Sequence, residues 1–168
     1  MTRNIVALWA EDEHGLIGND GKLPWHLPKE LNHFKKTTLD GALLMGRVTF
    51  EGMKKRPLPG RETLVLTTDS TYTAKGVTVV HSVEEALTWF HNQNKPLYII
   101  GGAKVYASFD GHYAKIIKTV VHGNFTGDTY FPDLSQRSFV KTATKTFDKD
   151  EKNAYAFTIE YYDSKDER

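Results

Sequence analysis

Hydrophobic positions along the chain fall into short blocks separated by polar stretches rich in glycine or proline, and the block patterns predict the elements. Ile5 to Ala10 is a continuous apolar run containing β-branched residues, the pattern of a strand buried on both faces. Ala42 to Gly46, Thr63 to Thr67, Val77 to His81, Leu97 to Ile100 and Ile116 to Val121 read as further strands. Ser138 to Phe147 and Ala154 to Tyr162 read as a closing pair joined by the turn-like stretch 148–153. Elsewhere the period changes. Leu27, Leu31 and Phe34 stand at i, i+4 and i+7 behind Pro28, which suits a first helical position because its missing N–H costs nothing there. Arg47 to Met53 and Ala103 to Phe109 read as short helices. Ser82, with Glu85 three residues on, forms a capping box ahead of Ala86, Leu87, Trp89 and Phe90. Between the first strand and the first helix, Glu11 to Leu23 is polar, carries Gly15, Gly18 and Gly21, and reads as a long loop of the kind that often serves as a lid.

Strands alternating with helices imply a parallel sheet with helices on both faces, and the last two strands imply an antiparallel edge. The expected fold class is therefore α/β: a single domain over residues 1–168 built on a central, mostly parallel, twisted sheet. In such sheets ligands bind beyond the carboxyl ends of the strands. Four polar or glycine-bearing segments are predicted there: the loop after Ala10, Gly46-Arg47, Thr67-Thr68 and Gly101-Gly102.

Composition narrows the function classes. A net charge of +1 and 26% charged residues give no basic surface for nucleic acid and no bulk attraction to a membrane. The first apolar run is soon interrupted by Glu11, Asp12 and Glu13, so neither a signal peptide nor a membrane span is expected. Cysteine is absent, which removes thiol and disulfide chemistry and suits the cytoplasm. His14, His26, His33, His81, His91, His112 and His122 are scattered without ligand spacing, so no metal site is expected.

The candidate chemistry lies elsewhere. Glu30 sits inside the apolar stripe, three residues after Leu27 and four before Phe34, where a carboxylate is costly unless it has partners and where burial raises its pKa. Gly101-Gly102, between a strand and a helix, lets backbone approach a ligand and aims helix N–H groups at an anion. Gly46-Arg47-Val48-Thr49 repeats that logic with a fixed charge. Arg47, Thr67, Thr68 and His81 are candidates to gather around an extra phosphate, such as a 2′-phosphate on an adenosine ribose. Arg61 offers a planar fork for a carboxylate. For each of these the alternative is a solvated or salt-bridged surface residue.

Taken together, several segments resemble the dihydrofolate reductase family. They are Ile17-Gly18, Leu23-Pro24-Trp25-His26-Leu27-Pro28-Lys29-Glu30-Leu31, Met45-Gly46-Arg47-Val48-Thr49-Phe50-Glu51 and Arg56-Pro57-Leu58-Pro59-Gly60-Arg61. Ile99-Ile100-Gly101-Gly102-Ala103-Lys104-Val105-Tyr106 and Gly127-Asp128-Thr129-Tyr130-Phe131-Pro132 follow, in the family's order and spacing across almost the whole chain. The resemblance implies reduction of 7,8-dihydrofolate by NADPH, with hydride to C6 and a proton to N5 of the pterin. By the same resemblance Glu30 is the acid, where many bacterial relatives carry Asp. Thr119 supports it and Trp25 positions an ordered water. Leu8, Ala10, Leu31, Phe34, Met53, Leu58 and Ile100 line the pocket, and Arg61 grips the substrate's α-carboxylate.

NADPH is expected against Ala10, Ile17, Gly18 and Leu23 of the lid side, and against Gly46, Arg47, Thr49, Thr67, Thr68 and His81. It is also expected against Ile100, Gly101, Gly102, Ala103, Lys104, Val105 and Tyr106. In the family the Gly–Gly peptide is cis. A monomer that takes dihydrofolate and antifolate-type inhibitors, without nucleic acid or membrane partners, completes the expectation. Two other readings compete: a pyrimidine reductase of riboflavin synthesis on the same scaffold, which would not need the Trp25 to Glu30 segment or Arg61, and a binding module without turnover.

Overall fold

The computed structural model describes residues 4–20, 22–134 and 139–165. Along the chain run β1 (Ile5–Glu11), β2 (Leu16–Gly18), α1 (Pro28–Thr38), β3 (Ala42–Gly46), α2 (Arg47–Gly52), β4 (Glu62–Leu66) and β5 (Thr78–Val80). Then come α3 (Val83–His91), β6 (Leu97–Ile99), α4 (Ala103–Ser108), β7 (Lys115–Val121), β8 (Thr129–Tyr130), β9 (Phe139–Phe147) and β10 (Phe157–Ser164). Eight strands form one sheet in the order β5-β4-β3-β6-β1-β7-β10-β9. Pairs from β5 to β7 are parallel, and β10 joins β7 and β9 antiparallel. The mostly parallel sheet with an antiparallel C-terminal edge is thus as expected.

The two-residue period of a strand divides the core. Ile5 and Ala7 join Leu44, Leu64, Leu97 and Ile99 under Ala86 and Phe90 of α3 and Tyr106 and Phe109 of α4. Val6 and Leu8 face the other way, with Ile117, Phe157 and Ile159 beneath Trp25, Leu27 and Phe34. Leu43, Met45 and Val65 continue that second face against Phe50 of α2. Helices therefore cover both faces, α1 and α2 on one and α3 and α4 on the other.

Three local expectations are corrected. The 11–23 loop is not wholly irregular, because Leu16–Gly18 pairs antiparallel with β8. Strands of three and two residues are too short to leave a periodic signal. The same loop is anchored by Asp12, fully buried, whose Oδ1 accepts from the backbone N–H of His14 (2.8 Å) and Leu16 (3.0 Å) and whose Oδ2 accepts from that of Phe125 (2.9 Å). Burial pushes this carboxyl up, but the three amides outweigh it and hold it below the ordinary carboxylate value. At α3, the Ser82 hydroxyl accepts from Glu85 N–H (3.0 Å), yet the Glu85 carboxylate accepts from His81 N–H rather than from Ser82, one residue earlier than a capping box requires. Finally the last strand, expected to end at Tyr162, runs on through Asp163, which pairs with Lys115 and Val140 in the sheet and bridges the Lys115 ammonium at 2.8 Å. Ser138, Gly21 and the tail residues Asp166, Glu167 and Arg168 lie outside the described residues.

Helix α1 is preceded by Leu27, whose side chain cannot cap it. The cap comes from the β9–β10 turn instead. Asn153, buried, accepts from Lys29 N–H through Oδ1 (3.0 Å), while its own Nδ2 and backbone N–H donate to Asp150 Oδ1 (both 2.9 Å). Asp150 Oδ2 closes the ring at 2.8 Å from the Lys29 ammonium. That ammonium, followed by the Asn153 amide, holds the Asp150 carboxyl far below the usual range. Asn153→Ala should destabilise the fold by about 1–2 kcal/mol, the usual cost of losing a helix cap and stranding its partner. Urea unfolding would read this as a lower midpoint at unchanged slope; an unmoved midpoint would mean that water caps α1 equally well.

Candidate active site

Glu30 lies in the first turn of α1, and Thr119 lies on β7 directly opposite Ala10 of β1. The Thr119 hydroxyl, buried, donates to Glu30 Oε2 at 3.1 Å. Burial raises the Glu30 carboxyl above its ordinary value, and the Thr119 hydrogen bond offsets part of that rise. Trp25 packs edge-on against Phe125 with ring centroids 5.2 Å apart. Its indole N–H is buried and finds no acceptor in the described chain, a donor free for a ligand or a water.

The apolar walls meet where two core clusters join. Phe34 and Ile100 pack against both, Leu8 and Ala10 belong to one, and Met53 and Leu58 to the other. Leu31 departs from its expected place on a buried stripe. It is 47% exposed and joins neither cluster, so helical spacing alone did not separate a core position from an open one.

Arg61 precedes β4 and is held by three hydrogen bonds to α1 and the proline loop. Its Nε donates to Thr38 Oγ1 (3.0 Å), and its terminal nitrogens donate to the carbonyls of Pro59 and Lys35. Three of five guanidinium N–H groups are used, which leaves one on each terminal nitrogen and fixes the plane.

Directly after Ile100, between β6 and α4, is a glycine-built cradle. The Gly101–Gly102 peptide is cis, and Gly101 has φ +124°, a region that L side chains avoid. Gly46 N–H donates to Gly101 O at 2.8 Å, and a Cβ on Gly46 would sit 3.1 Å from a Val105 methyl. Helices α2 and α4 start at Gly46 and Gly102 without side-chain caps, and Thr49 stands beside both Gly101 and Gly102. The first N–H groups of each helix, including those of Ala103, Lys104 and Val105, are therefore available to anionic oxygen. Tyr106 is buried under Gly101 and donates its hydroxyl to Leu8 O at 2.9 Å, and Tyr113 in turn donates to Tyr106 O at 2.7 Å. Burial pushes both phenols up, so both remain donors.

Beyond the cradle, Arg47 bonds Glu51 through Nε (3.1 Å) and Asp69 through Nη1 (3.2 Å), with its guanidinium carbon 4.6 Å from the Tyr72 ring centroid. Asp69 N–H reaches the Thr67 hydroxyl, and His81 Nδ1 lies 2.8 Å from Thr67 O. A carbonyl only accepts, so Nδ1 carries the proton and Nε2 is the other face of the ring. Arg47, Thr67 and His81 are thus brought together, with exposed Thr68 adjoining. On the lid, Ile17 packs into the core and Gly18 pairs with Thr129, whereas Leu23 is 53% exposed.

Sequence reasoning missed Asp12, Asn153, Asp150 and the two carboxylates on Arg47. Asp12 precedes Gly15 and Asp150 lies in a charged turn, patterns typical of side chains that bind nearby backbone. Among the described residues no group of three or more His, Cys, Asp or Glu could hold a metal, and no helix is long and apolar enough to cross a membrane.

A family model described as dihydrofolate reductase matches residues 4–164. The dihydrofolate reductase of Lactococcus lactis subsp. lactis (strain IL1403) is 50% identical over 162 residues, 95% of this chain and 96% of that one. That of Bacillus subtilis (strain 168) is 35% identical over 161 residues, 96% and 95% of the two chains. Among solved structures, dihydrofolate reductase from Enterococcus faecalis complexed with NADP(H) and RAB-propyl superposes with a TM-score of 0.94 at 44% identity over 97% of both chains. With the sheet, the buried acid, the arginine fork and the glycine cradle all in place, the chain belongs to the dihydrofolate reductase family, whose members are NADPH-dependent oxidoreductases that reduce 7,8-dihydrofolate to 5,6,7,8-tetrahydrofolate.

Proposed function

We propose that Glu30 is the acid of this reaction, with Thr119 and Trp25 as its partners, and that the pterin ring lies against Leu8, Ala10, Leu31, Phe34 and Ile100. The observation that carries this reading is a single carboxylate raised by burial and bound to Thr119, on the helix whose face shares a core cluster with Trp25, whose buried indole N–H has no acceptor among the described residues. A carboxylate there accepts from the pterin N3–H and 2-amino group, and favours arrival of a proton at N5 through a water held by Trp25. The carbonyls of Leu8 and Ile100 meet the ring edge. The Leu8 oxygen has a second lone pair beyond the one taken by Tyr106. Leu31, open rather than buried, supplies apolar surface to the substrate. NADPH, when bound, supplies the hydride that adds to C6. The uncapped helix starts at Gly46 and Gly102 hold its phosphates, Arg47, Thr67, Thr68 and His81 its 2′-phosphate, and Ala10, Ile17, Gly18, Leu23 and Thr49 with Ile100 to Tyr106 the rest. The lid excludes water over that face.

Arg61 binds the substrate's α-carboxylate with its two remaining N–H groups. Arg61→Lys should raise KM for dihydrofolate about tenfold to a hundredfold with kcat little changed, since a point charge replaces the fork. Steady-state kinetics would show it, and an unaltered KM would make Arg61 a strut between α1 and the proline loop. The acid itself is tested by the pH profile of hydride transfer. A carboxylate that favours the arrival of a proton at N5 makes hydride transfer proton-dependent, so the rate should fall as pH rises, and that fall should move to lower pH in Glu30→Gln. A flat profile would remove it from the proton path. The chain, read as one domain over 1–168, is expected to act as a cytoplasmic monomer and to bind antifolate-type inhibitors in the pterin pocket.

A further inference from the structure

Arg47 is the fixed positive charge of the proposed 2′-phosphate site, yet two carboxylates already engage it, Glu51 at 3.1 Å and Asp69 at 3.2 Å. The two carboxylates are not equivalent. Glu51 is four residues along the same short helix, on a long exposed side chain that can rotate aside. Asp69 cannot. Its Oδ1 accepts from both the backbone N–H (2.9 Å) and the hydroxyl (2.7 Å) of Thr71, and its own N–H donates to the Thr67 hydroxyl at 3.2 Å. These bonds, the Thr71 hydroxyl first, hold the Asp69 carboxyl below its ordinary value, so it stays charged wherever the enzyme works. Tyr72, three residues on, stacks beneath the Arg47 guanidinium and closes the other side.

We propose that Asp69 is a specificity-determining residue, which weakens the preference for the 2′-phosphorylated nicotinamide cofactor by holding a fixed negative charge on Arg47. The inference rests on the reading of Arg47 as the 2′-phosphate contact. A phosphate dianion approaching Arg47 meets a guanidinium already shared between two carboxylates, one of which cannot move away. NADPH therefore gains less over NADH than a free arginine would give it. The same arrangement keeps Arg47 oriented without a ligand, so affinity is traded against pre-organisation. Neutralising Asp69 while keeping its turn should recover the lost preference. Asp69→Asn does this, because an amide oxygen still accepts from both Thr71 groups.

The experiment measures NADPH and NADH dissociation constants, by quenching of tryptophan fluorescence, for the wild type, Asp69→Asn and Arg47→Gln at low and high salt. For Asp69→Asn the ratio of the NADH to the NADPH constant should rise about three- to tenfold, through tighter NADPH with NADH unmoved. The gain should shrink in high salt, which a purely structural effect would not do. An unchanged or lower ratio would overturn the proposal, the lower ratio meaning that Asp69 serves only to orient Arg47. For Arg47→Gln the ratio should fall at least tenfold. If it does not, the 2′-phosphate lies elsewhere and that placement fails, whatever Asp69→Asn does.

Discussion

Glu30→Ala is expected to lower turnover at neutral pH by roughly tenfold to a thousandfold, the range for losing a positioned acid–base group while the two rings stay face to face. The loss should be smallest at low pH, where the solvent itself delivers protons. Glu30→Gln separates chemistry from folding. The folded protein holds the Glu30 proton more tightly than the unfolded chain, because burial raises that pKa. Between the ordinary carboxylate value and the raised one, the folded state therefore carries more protons, and stability falls as pH rises through this window and stays lower above it. A glutamine keeps an oxygen for the Thr119 hydroxyl and carries no charge to desolvate. At neutral pH the Gln variant should thus unfold at a temperature equal to or above that of the wild type, while losing most of its turnover. Below the ordinary carboxylate value the two should converge. A variant that lost activity and stability together would point to a structural carboxylate.

Gly127→Val should have the second large effect. A Cβ at Gly127 would sit 2.5 Å from the carbonyl oxygen of Gly18 and 2.9 and 3.0 Å from the Leu16 methyls. The nearest obstacle is backbone, so no rotamer relieves it, and the lid must lift away. Lifting breaks the β2–β8 pairing, the Asp128 N–H bond to Gly18 O (3.2 Å) and the Asp20 N–H bond to Asp128 Oδ2 (3.1 Å). Turnover should drop about tenfold or more through a slower hydride step in single-turnover kinetics. Stability should fall by about 1–3 kcal/mol, as for an overpacked contact. Equal hydride rates would show that the lid does not need this contact.

What was legible in the sequence follows from the range of the forces involved. The sheet was legible because six parallel strands leave continuous apolar runs, and Glu30 was legible because a charge inside an apolar stripe contradicts its neighbours. The two glycine-led helix starts were legible for the same local reason. Asn153 was not, since it caps a helix 124 residues away and nothing local distinguishes it from any turn asparagine. Asp12 read as a charge that ends a strand, although its carboxylate also anchors Phe125, 113 residues on. Leu31 shows the opposite limit. Its spacing matches the stripe, but spacing is blind to whether a face meets core or an open site. Asp69 and Glu51 were invisible for a third reason: which carboxylates surround an arginine is decided by tertiary packing of α2 against the loop after β4.

The most direct test of the account is loss of nicotinamide absorbance with the purified protein and dihydrofolate, run with NADPH, with NADH, and with the Glu30→Ala variant. Fast loss with NADPH, slower loss with NADH and collapse in the variant are the predicted result. Absence of turnover while NADPH still binds would contradict it and leave a cofactor-binding protein without the pterin chemistry assigned to Glu30.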